Sequence, residues 1–324
     1  MLKAARGGGG LTHTDFINAV MRGDEELAEA LFTRFDRRPV PFNLAYPVRV
    51  AEWGGDFSMA ERVARGHTRS ENVDPIRIAG HLNLARVLVG QGKWRAATVE
   101  LEGGVGVDVG QARMARAVLA TLPFLSIPRD YQASTMEELQ RWEPPVPEPG
   151  SPPERAYDRH ARLYVMGLLS SKLGDVTAAL EYADAIEELT DVAATAVPGD
   201  LATTVRADVA WRQGSSPADV LRALEPLSGQ VPAVLWDNPA FGQEHARWVR
   251  ASALQQAGEN DEALRWLEDT FIATPGAVYY LAPTRYLAAQ VLDAAGRAEE
   301  AAEARATYLE LWSDADGGIS LPGG

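Results

Sequence analysis

Residues 160–191 read HARLYVMGLLSSKLGDVTAALEYADAIEELTD, and this stretch decides the fold. Apolar residues recur there at the three- and four-residue spacing of one helix face, on both sides of Gly174. A glycine followed by an aspartate is typical of a turn that ends one helix and begins the next. Gly167 and Ala179 are small residues, which would let the two helices approach closely. The stretch therefore predicts an antiparallel pair of helices.

The same turn glycine recurs along the whole chain. It is found at Gly23, Gly55, Gly92, Gly174, Gly214, Gly258 and Gly296. Six of these glycines have an alanine five residues later, at Ala28, Ala60, Ala97, Ala179, Ala263 and Ala301. A period of about 40 residues is typical of stacked helix pairs, in which each pair packs only on its neighbours. We therefore predict an all-α fold, a right-handed α-solenoid of about eight degenerate helix pairs.

Composition divides this array into segments. Residues 1–10 are glycine-rich and are expected to form a flexible N-terminus, followed by a first sub-array over 11–142. Six prolines between 143 and 153 predict a linker, because proline cannot continue a helix. A second sub-array is expected over 154–313, and residues 314–324 are expected to be a flexible C-terminus.

Local signals also predict where two helices begin. Ser134 with Glu137 three residues later forms a capping-box pattern, which predicts a helix start at Ser134. Pro283 precedes a long periodic stretch and predicts the start of the last pair.

The pattern resembles the tetratricopeptide repeat (TPR) family. Residues 160–191 and 245–275 match it best, through the turn glycine, the small residues on both helices and the final Pro275. Most units lack the family's large aromatic residue early in the first helix, and their spacing exceeds the usual repeat of about 34 residues. The units are therefore degenerate, and an unrelated helical solenoid is the alternative.

Residues 238–316 are similar to the C-terminal TPR region of large bacterial signalling proteins. The segments that carry this likeness are NPAF at 238–241, EALRW at 262–266, YLAP at 280–283 and YLELW at 308–312. In such proteins the region follows a Ser/Thr protein kinase, a cyclase or a transcriptional activation domain. The resemblance implies a sensor or partner-docking role, with the effector domain on a larger parent chain.

Charge and composition exclude several classes of function. The net charge is −14, and residues 151–324 carry 13 basic and 26 acidic side chains, so direct nucleic-acid binding is not expected. No apolar stretch is long enough for a membrane span or a signal peptide, and there is no cysteine. We therefore expect a cytoplasmic protein without disulfides.

No catalytic or metal-binding motif is present in the sequence. The five histidines never adopt a ligand spacing, and the glycines at 7–10 lack the Lys-Ser/Thr of a phosphate loop. We expect no enzymatic activity, no metal and no cofactor; a helical solenoid enzyme is the remaining alternative.

Partner binding is expected on the concave wall formed by the first helix of each pair. That wall is predicted to present Tyr164, Lys172, Asp208, Trp211, Arg212, His245, Trp248, Gln255, Tyr286, Gln290 and Asp293. Aromatic side chains among polar ones suit recognition of a protein or peptide, and the acidic second half favours a basic one. The sequence thus predicts a non-catalytic docking module of a bacterial signalling system. The alternative is a regulatory fragment of a transcriptional activator whose DNA-binding domain lies elsewhere.

Overall fold

A computed structural model describes residues 56–148, 153–189, 195–232, 239–241, 243–268 and 276–317, together with single positions outside these ranges. The predicted N-terminal segment 1–10 lies outside the described residues. So does most of the first predicted helix pair around Gly23.

Thirteen α-helices and no strand lie within the described residues. The helices are α1 Phe57–His67, α2 Asp74–Gly90, α3 Trp94–Val105, α4 Val109–Thr121, α5 Arg129–Arg141, α6 Asp158–Leu173, α7 Val176–Glu188, α8 Val197–Arg212, α9 Pro217–Ala223, α10 Glu244–Ala257, α11 Asn260–Glu268, α12 Ala277–Ala294 and α13 Ala298–Leu311. Short 3-10 turns span Pro153–Tyr157 and Pro239–Phe241. The predicted all-α array of helix pairs is confirmed.

Five of the seven predicted turn glycines end first helices as expected, while Gly55, like Gly23, lies outside the described residues. Gly92, Gly174, Gly214, Gly258 and Gly296 all have positive φ, between 70° and 88°. This left-handed conformation is costly for residues with a Cβ atom, which is why glycine stands at the turn.

The turn at Gly174 shows how one helix passes into the next. The Gly174 N–H donates to the Ser171 carbonyl at 3.1 Å and completes the end of α6. The Asp175 carboxylate then accepts from the Ala178 N–H at 3.1 Å and caps the start of α7.

The helix pairs close into a ring, a feature that the repeat pattern did not predict. Each first helix contacts the next in the order α2, α4, α6, α8, α10 and α12, and α12 in turn contacts α2. The second helices α3, α5, α7, α9, α11 and α13 pack against them. Helix α1 packs on α2 at the point of closure. One continuous cluster of buried apolar side chains runs through the array.

The residues after α13 fasten this closure to the α2–α3 turn. The Trp312 indole is buried, and its Nε1 donates to the Gly90 carbonyl at 3.0 Å. The Asp316 N–H donates to the Gly92 carbonyl at 3.0 Å. The Asp316 carboxylate accepts from the Arg95 backbone N–H at 2.7 Å. The two ends of the described array are therefore held together by hydrogen bonds.

Near two of the predicted segment boundaries, the structure shows contacts with the rest of the array. Residues 314–317, expected to begin a flexible terminus, are held against the α2–α3 turn by the contacts just given. Across the proline-rich segment at 143–153, helices α4 and α5 contact α6, and Arg162 Nε donates to the Leu139 carbonyl at 2.8 Å. The division into two sub-arrays stays a prediction.

Within the described part of the chain, no helix combines the length and apolar character needed to cross a membrane.

Candidate functional site at the centre of the ring

The eleven residues predicted to line the concave wall all lie on first helices. They are Tyr164 and Lys172 on α6; Asp208, Trp211 and Arg212 on α8; His245, Trp248 and Gln255 on α10; and Tyr286, Gln290 and Asp293 on α12. The buried members are Tyr164, Asp208, Trp211, His245 and Trp248. The half-buried members are Lys172, Arg212, Gln255, Tyr286 and Gln290, while Asp293 is exposed. Because the ring closes, five of the eleven face a packed interior instead of an open groove.

Four polar side chains form a central polar cluster: Ser171, Asp208, Arg212 and His245. The Asp208 side chain is fully buried and accepts three hydrogen bonds. Ser171 Oγ donates at 2.6 Å, Arg212 Nε at 2.7 Å and His245 Nε2 at 2.8 Å. These contacts join three consecutive first helices, α6, α8 and α10, through one carboxylate.

The electrostatics of Asp208 follow from these partners. Burial alone would raise its pKa, because a low-dielectric interior disfavours the charged form. The charge of Arg212 and the hydrogen bonds from His245 and Ser171 outweigh that effect, so the pKa of Asp208 lies below its usual range. The carboxylate is therefore the ionised anchor of the cluster.

Lys172 lies next to this cluster and binds the end of α4. Its Nζ donates to the carbonyls of Ala120, Leu122 and Leu125 at 3.2, 2.6 and 3.2 Å. Burial, together with the charge of Arg212, lowers the pKa of Lys172 to about 7. The side chain thus fixes the segment that follows α4.

That segment, residues 122–127, fills the centre of the ring. Phe124 is fully buried and contacts three aromatic rings from later parts of the chain. Its ring centroid lies 5.4 Å from that of Trp248, 5.0 Å from Tyr280 and 6.3 Å from Trp312. These distances are typical of favourable edge-to-face packing. The part of the predicted concave wall around Lys172 and Trp248 is therefore covered by this segment of the chain itself.

A cavity of about 20 Å³ remains beside the polar cluster. It lies between α4, α6, α10 and α12. Its polar lining residues are Thr121, Tyr164, Glu244, His245, Tyr279 and Tyr280, and its apolar ones include Val118 and Leu168. Burial raises the pKa of both Tyr164 and Tyr280, and the neighbouring charges of Asp208 and Glu244 raise it further. Both tyrosines are therefore neutral hydroxyls at neutral pH.

The accessible part of the predicted wall lies toward the C-terminal ends of α10 and α12. Gln255 Nε2 donates to Gln290 Oε1 at 3.5 Å and links the two helices. The Tyr286 ring packs on Tyr308 of α13 with centroids 5.2 Å apart. Asp293 forms an ion pair with an arginine of α13. Among these side chains, Gln255, Tyr286 and Gln290 are half-buried and Asp293 is exposed.

The polar cluster does not have the arrangement of a nucleophilic catalytic site. Ser171 donates to Asp208 and not to His245, and the lowered pKa of Asp208 makes this carboxylate a weak base for activating a serine. His245 Nε2 is occupied by the same carboxylate. Among the residues that the structure describes, no three side chains of His, Asp or Glu meet as metal ligands. The described contacts of the cluster are those of a structural polar network.

Several residues of this centre were missed by the sequence analysis. Ser171 and Phe124 carry no motif, and only the tertiary contacts reveal their roles. Tyr280 was missed because the helix was predicted to begin at Pro283, although α12 begins at Ala277. The apolar run before Pro283 was the available signal.

Comparisons with known proteins find little. No protein-family model matches the sequence, and no curated protein matches it. Among solved structures, the chain is similar to a tetratricopeptide repeat protein from Parabacteroides merdae ATCC 43184, with a TM-score of 0.39 and 17% identity over 83% of this chain and 91% of that chain. A likeness of this size carries no argument about function, and the fold assignment rests on the helix contacts described above.

Proposed function

We propose that this chain is a non-catalytic module that binds a protein or peptide. The observation that supports this most is that the predicted wall has a buried part and an accessible part. Its buried ionisable groups are bound to one another, with Asp208 accepting from Ser171, Arg212 and His245. Polar and aromatic groups remain accessible at the ends of α10 and α12.

The proposed docking surface consists of Gln255, Tyr286, Gln290 and Asp293. Tyrosine is enriched at protein interfaces, and polar side chains are common at their solvent-accessible rim. The surrounding charge favours a basic partner, since residues 151–324 carry twice as many acidic as basic side chains. The finer role, docking within a bacterial signalling system, is supported only by the sequence likeness of residues 238–316.

Affinity capture from the source cells, with the whole chain as bait, tests this function. We expect Tyr286→Ala combined with Gln290→Ala to reduce recovery of the bound protein at least tenfold, as measured by mass spectrometry. Glu181→Gln, an exposed change on α7, is the matched control and should leave recovery unchanged. Thermal unfolding of each variant checks that the fold is retained. Equal recovery with the wild-type bait and with the double variant would contradict the proposed surface.

Salt dependence tests the electrostatic part separately. If the partner is basic, its affinity falls as the KCl concentration rises, because exposed charges are screened beyond about 10 Å at 0.1 M salt. A salt-independent affinity would contradict the proposal that the partner is basic, but it would not contradict the proposed docking surface. Neighbouring coding sequence distinguishes the two cellular roles: a kinase favours signalling, and a DNA-binding domain favours the activator alternative.

A further inference from the structure

We propose that the start of α3 is a docking site for an acidic peptide segment of another protein. Residues 312–316, the strap, occupy this site in the structure, and the partner's segment must displace them. The site is separate from the docking surface proposed above, so either proposal can fail without the other.

The start of α3 attracts a carboxylate from another part of the chain. In the α6–α7 turn, the capping carboxylate belongs to Asp175, directly after the turn glycine. Lys93 stands at the corresponding place after Gly92, and its side chain makes no capping hydrogen bond. The first turn of α3 therefore presents N–H groups and the positive end of the helix dipole beside Lys93 and Arg95. Such a helix start favours a negatively charged ligand.

The strap supplies that negative charge. Asp316 Oδ2 accepts from the Arg95 backbone N–H at 2.7 Å, and Arg95 Nη1 donates to the Asp316 backbone carbonyl at 3.2 Å. Two residues earlier, Asp314 Oδ2 lies 3.8 Å from Lys93 Nζ. The start of α3 thus binds a short peptide segment through one capping carboxylate and two basic side chains.

An aromatic side chain anchors the other end of the strap. The Trp312 indole is buried, and its Nε1 donates to the Gly90 carbonyl at 3.0 Å. The strap lies close to the turn backbone, since a Cβ atom at Gly92 would be 2.5 Å from the Ala315 Cβ. The segment that fits this site therefore carries a tryptophan, aspartates two and four residues later, and a small residue between those aspartates.

The polar contacts of the strap are exposed, which suits their replacement by a partner. The side chains of Arg95 and Asp316 are 62% and 23% exposed, and that of Asp314 is 78% exposed. Exposed ion pairs contribute little to stability, and a segment that they hold can open without global unfolding. A second copy of the chain would exchange one strap for an identical one and gain no new contact at the site. A different protein is therefore the proposed occupant.

A peptide added in trans tests the site. The probe is a synthetic peptide with the sequence of residues 311–317, LWSDADG, with both ends blocked. The protein is the whole chain carrying Trp312→Ala and Asp316→Ala. Fluorescence anisotropy should show the peptide binding this double variant at least tenfold more tightly than wild type, because in wild type only the fraction with an open strap is available. Bound peptide should also restore hydrogen-exchange protection of the Arg95 N–H.

A matched peptide and matched variants assign the binding to the start of α3. A peptide with alanine in place of its last aspartate should bind neither protein and restore no protection. Arg95→Gln, added to the double variant, should weaken binding of the LWSDADG peptide at least threefold. Arg297→Gln, at the start of α13, is the control and should leave that affinity unchanged.

The remaining outcomes decide against the proposal. Failure of the LWSDADG peptide to bind the double variant would refute the site, and so would equal binding of the two peptides. Equal affinity for wild type and the double variant would show that the strap does not occupy the site. Dimerisation of wild type that the double variant loses would assign the site to a second copy and overturn the choice of partner. If the double variant does not fold, Asp316→Ala decides, because it keeps the buried Trp312 and should still bind the peptide more tightly than wild type.

Discussion

At the scale of single residues, Asp208 links three first helices of the ring. Its carboxylate is fully buried and is hydrogen-bonded by Ser171, Arg212 and His245 from three successive first helices. A buried ion pair is weak evidence for net stability, but breaking one leaves an uncompensated charge in a low-dielectric interior. We therefore expect even a nearly isosteric substitution of Asp208 to cause a large loss of stability.

We expect Asp208→Asn to lower the free energy of unfolding by about 3–5 kcal/mol, because Arg212 loses its charged partner. Urea denaturation at neutral pH measures this. Asp184→Asn is the control: its carboxylate also pairs with an arginine, Arg206, but is exposed, so a loss below about 1 kcal/mol is expected. Equal losses in the two variants would contradict the role assigned to burial.

The pH dependence of stability gives a second test of Asp208. Burial opposes the ionised form, but Arg212, His245 and Ser171 hold its folded-state pKa below the ordinary value of 3.8. The unfolded state therefore binds more protons in acid, and the stability contributed by the ionised carboxylate is present above about pH 4 and lost as the pH falls further. The stability difference between wild type and Asp208→Asn should narrow between about pH 4 and pH 2, as measured by urea denaturation. A constant difference would show that Asp208 is not the ionised anchor.

At the scale of helices, the described turn glycines and the Asp175 cap were predicted correctly, whereas two helix starts were not. The capping box predicted at Ser134 is wrong, because α5 begins at Arg129 and Ser134 lies inside it. The start predicted at Pro283 is also wrong. Helix α12 extends back to Ala277 because Val278 and Tyr280 are buried in the ring, and that burial outweighs the backbone hydrogen bond that proline cannot make. Tertiary packing overrode the local signal in the second case.

Two helical glycines form a matched pair for testing close approach. A Cβ atom at Gly167 would lie 3.0 Å from both Val205 methyl groups on α8, whereas one at Gly199 would meet nothing within 4 Å. Gly167→Ala should destabilise the protein by about 1–3 kcal/mol through overpacking. Gly199→Ala should stabilise it by about 0.4–1 kcal/mol by restricting the unfolded chain. Chemical denaturation of both variants measures the sign of each change in the free energy of unfolding. A stabilised Gly167→Ala would refute the close contact between α6 and α8.

At the scale of the whole molecule, ring closure distinguishes this chain from an open solenoid. In an open array each pair contacts only its neighbours, and the end pairs have one free side. Here α12 contacts α2, and Trp312, which follows α13, binds the end of α2 through a hydrogen bond from its Nε1 to the Gly90 carbonyl. Residues 122–127 fill the centre of the ring, so the closure of the ring and the packing of its centre stabilise each other.

Trp312→Ala should therefore loosen the closure and lower the free energy of unfolding by about 3–5 kcal/mol, the usual range for removing a buried tryptophan. Hydrogen exchange gives a specific readout, because the Arg95 N–H is bound to Asp316. Its protection should fall in this variant. Leu309→Ala, an exposed change on α13, is the control and should alter stability by no more than about 0.5 kcal/mol. Unchanged protection of Arg95 in Trp312→Ala would mean that Trp312 does not hold the two ends together.

The sequence by itself determined the helix pairs. The spacing from Gly174 to Ala179, and the aspartate that follows the glycine, specify a turn and a cap through interactions within a few residues. Every predicted wall residue accordingly lies on a first helix. Only the tertiary structure decided that the array closes, that Phe124 fills its centre and that Asp208 and Trp248 are buried. The physical reason is that closure depends on small rotations between successive pairs, which add up over the array and are set by side-chain packing between residues far apart in the chain.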